Sequence, residues 1–380
     1  MKVRQLLRIT LASITLVSCM LMLWMIVGDL SEASREEEVS VFTLLSFSYE
    51  VAQPTGSQGH RCQPLPVEAG PNLRDRCGPW FVVIGVAKGG TRQLMIDLNH
   101  CSDEVILPTP DDNAHGSFWE PKFFNGYRFD QHSWEHYMSL LGEVYVEDDG
   151  RHFTGEKSPQ YYQMTDLQIG RMYNWFPRTK IILNIRDPRD RFYSFYAMQV
   201  RNGKESCPEG QGDRLPECFD RFLGKIYAGR WSIPKSGANG SHLSNAADKL
   251  SQMDGLTLDT AQPTDARHRA YAEGWDYTRV LQKWRRHYGN NVLVLPLDYL
   301  NNPYANLRGL DGLQNFLEIQ NVDSEALARC ITEEGNSKRE KNGSYPPMSQ
   351  DAHAFLTAIY KPSMEALARE EGIDYLNADY

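Results

Sequence analysis

The sequence lacks the positive charge that a general nucleic-acid-binding protein needs. Its 380 residues carry 40 Lys and Arg against 49 Asp and Glu, which gives a net charge of −9. Affinity for nucleic acid depends on a basic surface, so we expect no nucleic-acid partner. A polyanionic partner of another kind stays compatible with this charge, because a local basic cleft can lie on an acidic protein.

The chain also lacks the spacings that metal-binding and repeat proteins show. None of its seven cysteines forms a CxxC pair, and its histidines do not have the spacing of zinc ligands. We see no carboxylate cluster and no internal repeat. A hydrophobic fraction of 41% rules out a disordered chain. We therefore expect a folded domain that needs no metal.

One apolar run is long enough to cross a membrane. Residues 9–28 contain no charged side chain and would span about 30 Å as a helix. Basic residues precede the run and acidic residues follow it, so residues 1–8 are predicted to be cytoplasmic and the rest lumenal. We predict an uncleaved signal anchor over 9–28 and a Pro- and Gly-rich stem over 29–79. A cleaved signal peptide is the alternative.

Six cysteines lie beyond the predicted anchor. An even number in an oxidising lumen suggests disulfides, but six cysteines allow fifteen pairings. Cys62 with Cys77 and Cys207 with Cys218 are the local pairs to test first. Glycosylation sequons begin at Asn239 and Asn342.

Short apolar runs alternate with helical patterns over residues 80–380. Residues 81–84, 181–185 and 292–295 are typical of strands buried on both faces. Asp187 can cap the helix after the second strand, with Pro188 in its first turn. The alternation predicts one α/β domain with three layers and a central parallel sheet. A long variable insertion, residues 202–265, is rich in Gly, Ser, Asn and Pro.

The first predicted strand leads into a glycine-rich turn, GVAKGGTR, over residues 85–92. Gly89 and Gly90 let the backbone approach a ligand, while helix N–H groups and Lys88 face an anion. This is not a Walker A loop, because Lys88 precedes the glycine pair instead of following it. The turn predicts an anion site, with an ordinary strand-to-helix turn as the alternative.

A second segment with phosphate-binding chemistry follows the second predicted strand. Arg186 ends that strand, and Ser194 lies about two turns into the next helix. An arginine fork and a hydroxyl can both bind a phosphate. The alternative is a capped helix start with paired charges.

These segments resemble the Golgi sulfotransferases that use 3′-phosphoadenosine 5′-phosphosulfate (PAPS), most of all the heparan sulfate glucosaminyl 3-O- and N-sulfotransferases. Residues 88–92 match that branch's P-loop-like phosphosulfate loop, KGGTR, and residues 186–194 match its 3′-phosphate motif, RDPxxRxxS. Residues 156–162 resemble its EKTPxYF segment, residues 120–124 its ExxFF segment, and residues 345–348 its PAPS-covering loop. All five occur in the family's order.

The resemblance implies roles for individual residues. Glu120 corresponds to the catalytic base, Lys88 to a contact of the sulfuryl and leaving oxygens, and Lys157 to a lysine near the reacting centre. Arg186 and Ser194 would hold the 3′-phosphate. The other implied PAPS contacts are Gly89, Gly90, Thr91, Arg92, Lys341 and Gly343. Alternatives are Lys338 or Arg339 in place of Lys341, and Glu156 or His100 in place of Glu120.

The resemblance further predicts a Golgi membrane protein, anchored by its N-terminal helix, that sulfates a glycan similar to heparan sulfate. The side chains that would meet a polyanionic acceptor are Lys122, Arg128, Arg189, Arg191 and Arg201. If these residues do not line one groove, a neutral acceptor is favoured. Three alternatives stay open: a sulfotransferase for another carbohydrate, tyrosine or small molecule, an enzyme resembling nucleotide kinases, and an inactive lumenal binding protein.

Overall fold

A computed structural model of the chain describes residues 61–108, 120–125, 133–207, 214–228, 240–253, 276–339 and 345–377. These residues all belong to one compact unit, residues 59–380. Within this described part, no helix has the length and apolar character to cross a membrane. Several residues and ranges named above lie outside it: 1–60, Arg128, Asn239, Lys341, Asn342 and Gly343.

A parallel four-stranded sheet lies at the centre of this unit. The strands in chain order are β1 (Gln63–Pro64), β2 (Cys77–Gly78), β3 (Phe81–Gly85), β4 (Gly155–Lys157), β5 (Lys180–Ile185) and β6 (Val292–Pro296). The central sheet has the order β4-β3-β5-β6, and β1 pairs with β2 separately in antiparallel fashion. All three predicted strands are confirmed. The short strand β4 was not predicted.

Helices cover both faces of the sheet. In chain order they are α1 (Thr91–Cys101), α2 (Trp134–Ser139), α3 (Asp166–Trp175), α4 (Pro188–Arg201), α5 (Leu215–Ile226), α6 (Gly240–Ser251), α7 (Tyr277–Tyr288), α8 (Leu297–Asn301), α9 (Leu307–Leu317), α10 (Ser324–Arg339) and α11 (Gln350–Glu371). Val82 and Ile84 of β3 face the core formed with α2 to α7 and α11, whereas Phe81 and Val83 face α1, α9 and α10. This alternation confirms the three-layer α/β architecture.

The folded unit begins earlier than the boundary at residue 80 that the sequence indicates. Residues 61–79, predicted as stem, pack against the domain, and a disulfide between Cys62 and Cys77 joins their two ends. Arg61 is buried, forms an ion pair with Glu104 and donates a hydrogen bond of 2.8 Å to the Gly150 carbonyl. The disulfide, polar contacts and the buried side chains of Ala69 and Leu73 order this segment. None of these features has the periodicity of a long helix or strand that a sequence pattern could reveal.

Part of the stretch over 202–265, which the sequence predicts to be a variable insertion, folds into the domain. Helices α5 and α6 lie within it, and Phe219, Phe222 and Leu243 are buried in the core. A disulfide between Cys207 and Cys218 joins the residues before α5 to that helix. Both local cysteine pairs favoured by the sequence are therefore confirmed.

Candidate active site

The predicted site residues meet at the carboxyl edge of the parallel sheet. Strand β3 leads into the turn that holds Lys88, β4 ends at Lys157, and Arg186 directly follows β5. The chain passes from β3 to β4 on one side of β3, and then crosses to β5 on the other side of β3. Open parallel sheets bind ligands in the crevice above such a switch point. A cavity of about 840 Å³ lies there.

Most residues of the predicted site line this cavity. The cavity wall includes Lys88, Gly90, Thr91, Arg92, Glu120, Lys157, Arg186 and Ser194. Gly89 packs below the turn, where a Cβ atom would lie 2.4 Å from the carbonyl oxygen of Asn184. The fold therefore brings together four segments that are far apart in the sequence: residues 88–92, Glu120, Lys157 and residues 186–194.

The glycine-rich turn presents the start of α1 to the cavity. Gly90 has a φ of +88° and is the N-cap residue of α1, with no side-chain hydrogen bond to the helix end. The N-terminal N–H groups of a helix need partners from outside the helix and carry a partial positive charge. Thr91 and Arg92 of that first turn line the cavity. This geometry, together with Lys88, can bind a phosphate or sulfate group.

Glu120 lies between two lysines in the cavity wall. One carboxylate oxygen forms an ion pair with Lys157 Nζ, and the other is 3.5 Å from Lys122 Nζ. Burial lowers the pKa of Lys157, the Glu120 carboxylate acts in the opposite direction, and the cations of Arg92 and Lys122 lower the pKa further. A carboxylate beside a lysine can take a proton from an acceptor while the lysine offsets negative charge.

Arg186 and Ser194 are held by the start of α4. Asp187 accepts a hydrogen bond of 2.8 Å from the Arg189 N–H, and Pro188 lies in the first turn, which confirms the predicted cap. The Arg186 side chain is 29% exposed and contacts Asp190 at 3.3 Å. Its guanidinium group therefore faces the cavity with donors that an anion can reach.

Tyr345 covers this end of the cavity. Its hydroxyl oxygen is 3.0 Å from the Ser194 Oγ. Burial acts to raise the pKa of Tyr345, but the hydrogen bond with Ser194 and the cations of Lys88, Arg201 and Arg186 outweigh it, so the pKa lies below its ordinary value. Lys88, Arg201 and Arg186 thus lie close enough to the Tyr345 hydroxyl to favour its anionic form.

Two arginines that the sequence assigns to a polyanionic acceptor have a structural role instead. Arg189 is buried and contacts the Asp187 carboxylate at 2.5 Å. Arg191 is also buried, at 1% exposure. Both side chains are buried within the domain on different sides of α4, so neither lines a groove. Lys122, by contrast, lies beside Glu120 at the cavity.

Comparison with known proteins agrees with this geometry. Residues 79–237 match the family model described as the sulfotransferase domain. The chain is therefore similar to sulfotransferases over this range. It is 32% identical over 185 residues to mouse heparan sulfate glucosamine 3-O-sulfotransferase 6, covering 49% of this chain and 47% of that protein.

A second group of relatives aligns over a longer part of the chain. Mouse bifunctional heparan sulfate N-deacetylase/N-sulfotransferase 4 is 25% identical over 305 residues, which cover 74% of this chain and 29% of that protein. The chain thus spans less than half the length of the curated relatives that it matches.

Two solved structures are similar to this chain over about three quarters of its length. A sulfotransferase from Alicyclobacillus acidocaldarius gives a TM-score of 0.46 at 18% identity, covering 78% of this chain and 97% of that chain. Mouse sulfotransferase SULT7A1, solved in complex with PAP, gives a TM-score of 0.36 at 12% identity, covering 74% of this chain and 75% of that chain.

The two alternatives that the sequence offers for the base, His100 and Glu156, are not among the residues that line the cavity. His100 is in the last turn of α1, whereas the first turn of α1 lines the cavity. Glu156 is fully buried beneath the cavity wall. Burial raises the pKa of Glu156 to about 7, while hydrogen bonds from Ser158, Tyr137 and Tyr161 act in the opposite direction. Glu120 is therefore the best-placed of the three carboxylate and imidazole candidates.

Sequence reasoning missed part of the cavity wall. Met198 and Asn202 line it from α4 and the residue after it, at four and eight positions beyond Ser194. Helical spacing from Ser194 could have found both residues. Lys204, Leu297 and Leu300 also line the cavity, but no local pattern in the sequence links them to the phosphate motifs.

Proposed function

We propose that this chain transfers a sulfuryl group from PAPS to a hydroxyl or amine of a glycan. One observation carries the proposal: a single cavity is lined by the Glu120–Lys157 ion pair, by Arg186 and Ser194, and by the start of α1. The cavity thus combines an anion site with a carboxylate that can act as a base. The match to the sulfotransferase family model supports this activity.

The donor would bind along the carboxyl edge of the sheet. Its phosphosulfate would lie on the turn of residues 88–92, where helix N–H groups and Lys88 offset negative charge. Its 3′-phosphate would lie at Arg186 and Ser194, because a guanidinium group makes charge-assisted hydrogen bonds with phosphate oxygens. The cations of Lys88, Arg201 and Arg186 near Tyr345 support this placement. Lys341 and Gly343 stay predicted donor contacts.

The reaction would be an in-line displacement at sulfur, by analogy with phosphoryl transfer. The acceptor oxygen or nitrogen forms a bond to sulfur while the bond between sulfur and the 5′-phosphate oxygen breaks. The acceptor proton goes to the carboxylate of Glu120. The electron pair of the broken bond stays on adenosine 3′,5′-bisphosphate, where Lys88 and Lys157 offset the developing charge.

We propose an anionic glycosaminoglycan of the heparan sulfate type as acceptor. The names of the relatives support this class, since both act on heparan sulfate. Lys122 beside Glu120 and Lys204 in the cavity wall supply positive charge on this side. The burial of Arg189 and Arg191 favours a second candidate, a neutral sugar or a small hydroxyl compound.

We further propose that residues 9–28 anchor the chain in the Golgi membrane with the sulfotransferase domain in the lumen. Three disulfides in the described unit support a lumenal setting, because disulfides persist in oxidising compartments. The charge difference across residues 9–28 supports the orientation.

Binding of adenosine 3′,5′-bisphosphate tests the donor assignment. Arg186→Ala should weaken this binding by about 10- to 100-fold, because a hydrogen bond to a charged group contributes about 1.5–3 kcal/mol. ATP has no 3′-phosphate and should not raise the thermal stability of the protein. Isothermal titration calorimetry measures the affinities. Arg171→Ala is the matched control, since Arg171 is exposed on α3, and it should bind as the wild type does. Equal affinity of Arg186→Ala and wild type would contradict the assignment.

A further inference from the structure

Glu156 is a buried carboxylate that no step of the proposed reaction uses. It lies in β4 directly before Lys157 and has no exposed surface. Three hydroxyl groups donate hydrogen bonds to it, from Ser158 at 2.8 Å, Tyr137 at 3.0 Å and Tyr161 at 3.4 Å. Above a pH of about 7 the carboxyl group of Glu156 is ionised and only accepts hydrogen bonds, so it then fixes the direction of all three hydroxyl protons.

Two of these hydroxyls also hold the segment of residues 120–124. Ser158 Oγ accepts a hydrogen bond of 3.0 Å from the backbone N–H of Lys122. The Tyr161 hydroxyl accepts one of 3.1 Å from the backbone N–H of Phe124. Each hydroxyl has a single proton, which points to the buried carboxylate. The lone pairs of each hydroxyl oxygen are therefore left to accept the hydrogen bond from the backbone N–H.

The segment needs such support, because no regular secondary structure holds it. Residues 120–125 belong to neither a helix nor a strand. Lys122 has a φ of +53°, a left-handed conformation that costs free energy for a residue with a side chain. Such a conformation persists only where the surroundings fix it. The rings of Phe123 and Phe124 pack against Tyr137, so packing holds the side chains while the two hydroxyls hold the backbone.

We propose that Glu156 is a positioning residue for the base, acting through Ser158 and Tyr161. By directing these two hydroxyls, it fixes the backbone next to Glu120 and hence the contact of the Glu120 carboxylate with Lys157. The inference rests on the proposed function in that it takes Glu120 as the base. The hydrogen-bonded link from Glu156 to the segment does not depend on that assignment.

Glu156→Gln tests the link with a side chain of the same shape. The amide presents N–H donors where the carboxylate had an oxygen, so at least one hydroxyl must turn its proton away. That hydroxyl then accepts a hydrogen bond from the amide, so its lone pairs are no longer reserved for the backbone N–H, and the hydrogen bond to the segment is weakened. Ser158→Ala removes the acceptor for Lys122 directly and serves as the second variant if Glu156→Gln does not fold.

Tyr137→Phe is the matched control. It also removes a hydroxyl that donates to Glu156, but Tyr137 is not one of the two residues that accept the Lys122 and Phe124 N–H groups. The ring stays, so packing against Phe123 is kept. Two measurements separate positioning from general destabilisation: the kinetic constants for sulfuryl transfer and hydrogen–deuterium exchange of a peptide that covers residues 120–125.

We expect Glu156→Gln and Ser158→Ala to lower kcat by about tenfold or more, because small displacements of a catalytic group are costly. The KM for PAPS and the affinity for adenosine 3′,5′-bisphosphate should stay within about threefold of wild type, since residues 88–92 and Arg186 are untouched. The peptide over 120–125 should exchange faster in both variants, and Tyr137→Phe should match wild type in both measurements.

Wild-type kcat and exchange in Glu156→Gln and Ser158→Ala would overturn the inference, as would an equal loss in Tyr137→Phe. Failure of the proposed function gives a different result. In that case the wild type transfers no sulfuryl group to any acceptor, while the exchange rates of the variants still decide whether Glu156 holds the segment.

Discussion

Lys157 illustrates at the residue scale how the fold prepares a charged group for chemistry. Its side chain is 3% exposed and forms an ion pair with Glu120. Charges interact more strongly where water is excluded, so an ammonium group in this position can offset negative charge more effectively than one in solvent. Burial lowers the pKa of Lys157, because removing the ammonium group from water disfavours its charged form.

Glu156→Gln should also change how the stability of the protein depends on pH. Burial raises the pKa of Glu156 to about 7 in the folded protein, from an ordinary value of 4.5. The folded state binds this proton more tightly, so the stability that the carboxyl group contributes is fully present below pH 4.5 and is lost as the pH rises through 7. The free energy of unfolding of Glu156→Gln, relative to wild type, should therefore increase by about 2 kcal/mol from pH 5 to pH 8.

Denaturant unfolding at several pH values measures this difference. The comparison of the two proteins at each pH cancels the titration of all other groups. A difference that stays constant between pH 5 and pH 8 would show that Glu156 titrates as an exposed glutamate does.

Residue types and spacing predicted the candidate site where its chemistry is local in the sequence. Lys88 and Thr91, like Arg186 and Ser194, lie within one strand-turn-helix unit, so their proximity follows from helical geometry. The same spacing could not show that Arg189 turns toward Asp187 and the core. Which face of a helix is buried depends on the tertiary contacts of α4, and those were not visible in the sequence.

At the scale of elements, the disulfide between Cys101 and Cys330 joins the end of α1 to α10. It closes a loop over a sequence separation of 229 residues. A disulfide across a long loop restricts the unfolded chain strongly. The sequence left this pairing open, because the two cysteines become neighbours only through the packing of α1 and α10.

The double variant Cys101→Ser and Cys330→Ser should lower the free energy of unfolding by about 2–5 kcal/mol. Affinity for adenosine 3′,5′-bisphosphate should stay within about threefold of wild type, because the glycine-rich turn of residues 85–92 is at the other end of α1. Urea unfolding and calorimetry measure the two quantities. Unchanged stability, or a loss of affinity that exceeds tenfold, would contradict this assignment of the disulfide to stability alone.

Apolar runs predicted the three longer strands of the central sheet and missed the short one. Strands β3, β5 and β6 are continuous apolar runs, so a sequence pattern identifies them. Strand β4 has the sequence GEK and is buried by its pairing with β3 and by polar contacts such as the ion pair of Lys157 with Glu120. A strand whose side chains serve a site has no apolar signature.

At the scale of the whole molecule, an acidic chain concentrates cations in one cavity. The net charge is −9, yet Lys88, Arg92, Lys157 and Arg186 line the same cavity. Such an arrangement attracts an anionic donor to one place and repels polyanions from the rest of the surface. Salt should therefore weaken the recognition of an anionic acceptor, because screening reduces interactions between exposed charges.

The most direct measurement is sulfuryl transfer from labelled PAPS by the wild type and by Glu120→Gln. The acceptors are heparan sulfate, chondroitin, neutral glycans and small alcohols, each at two salt concentrations. We predict transfer to heparan sulfate that falls as salt rises, and a loss of about 10²-fold or more in Glu120→Gln with donor binding intact. Transfer to a neutral acceptor without salt dependence would reject the polyanionic acceptor. Full activity of Glu120→Gln, or no transfer by the wild type to any acceptor, would contradict the central claim.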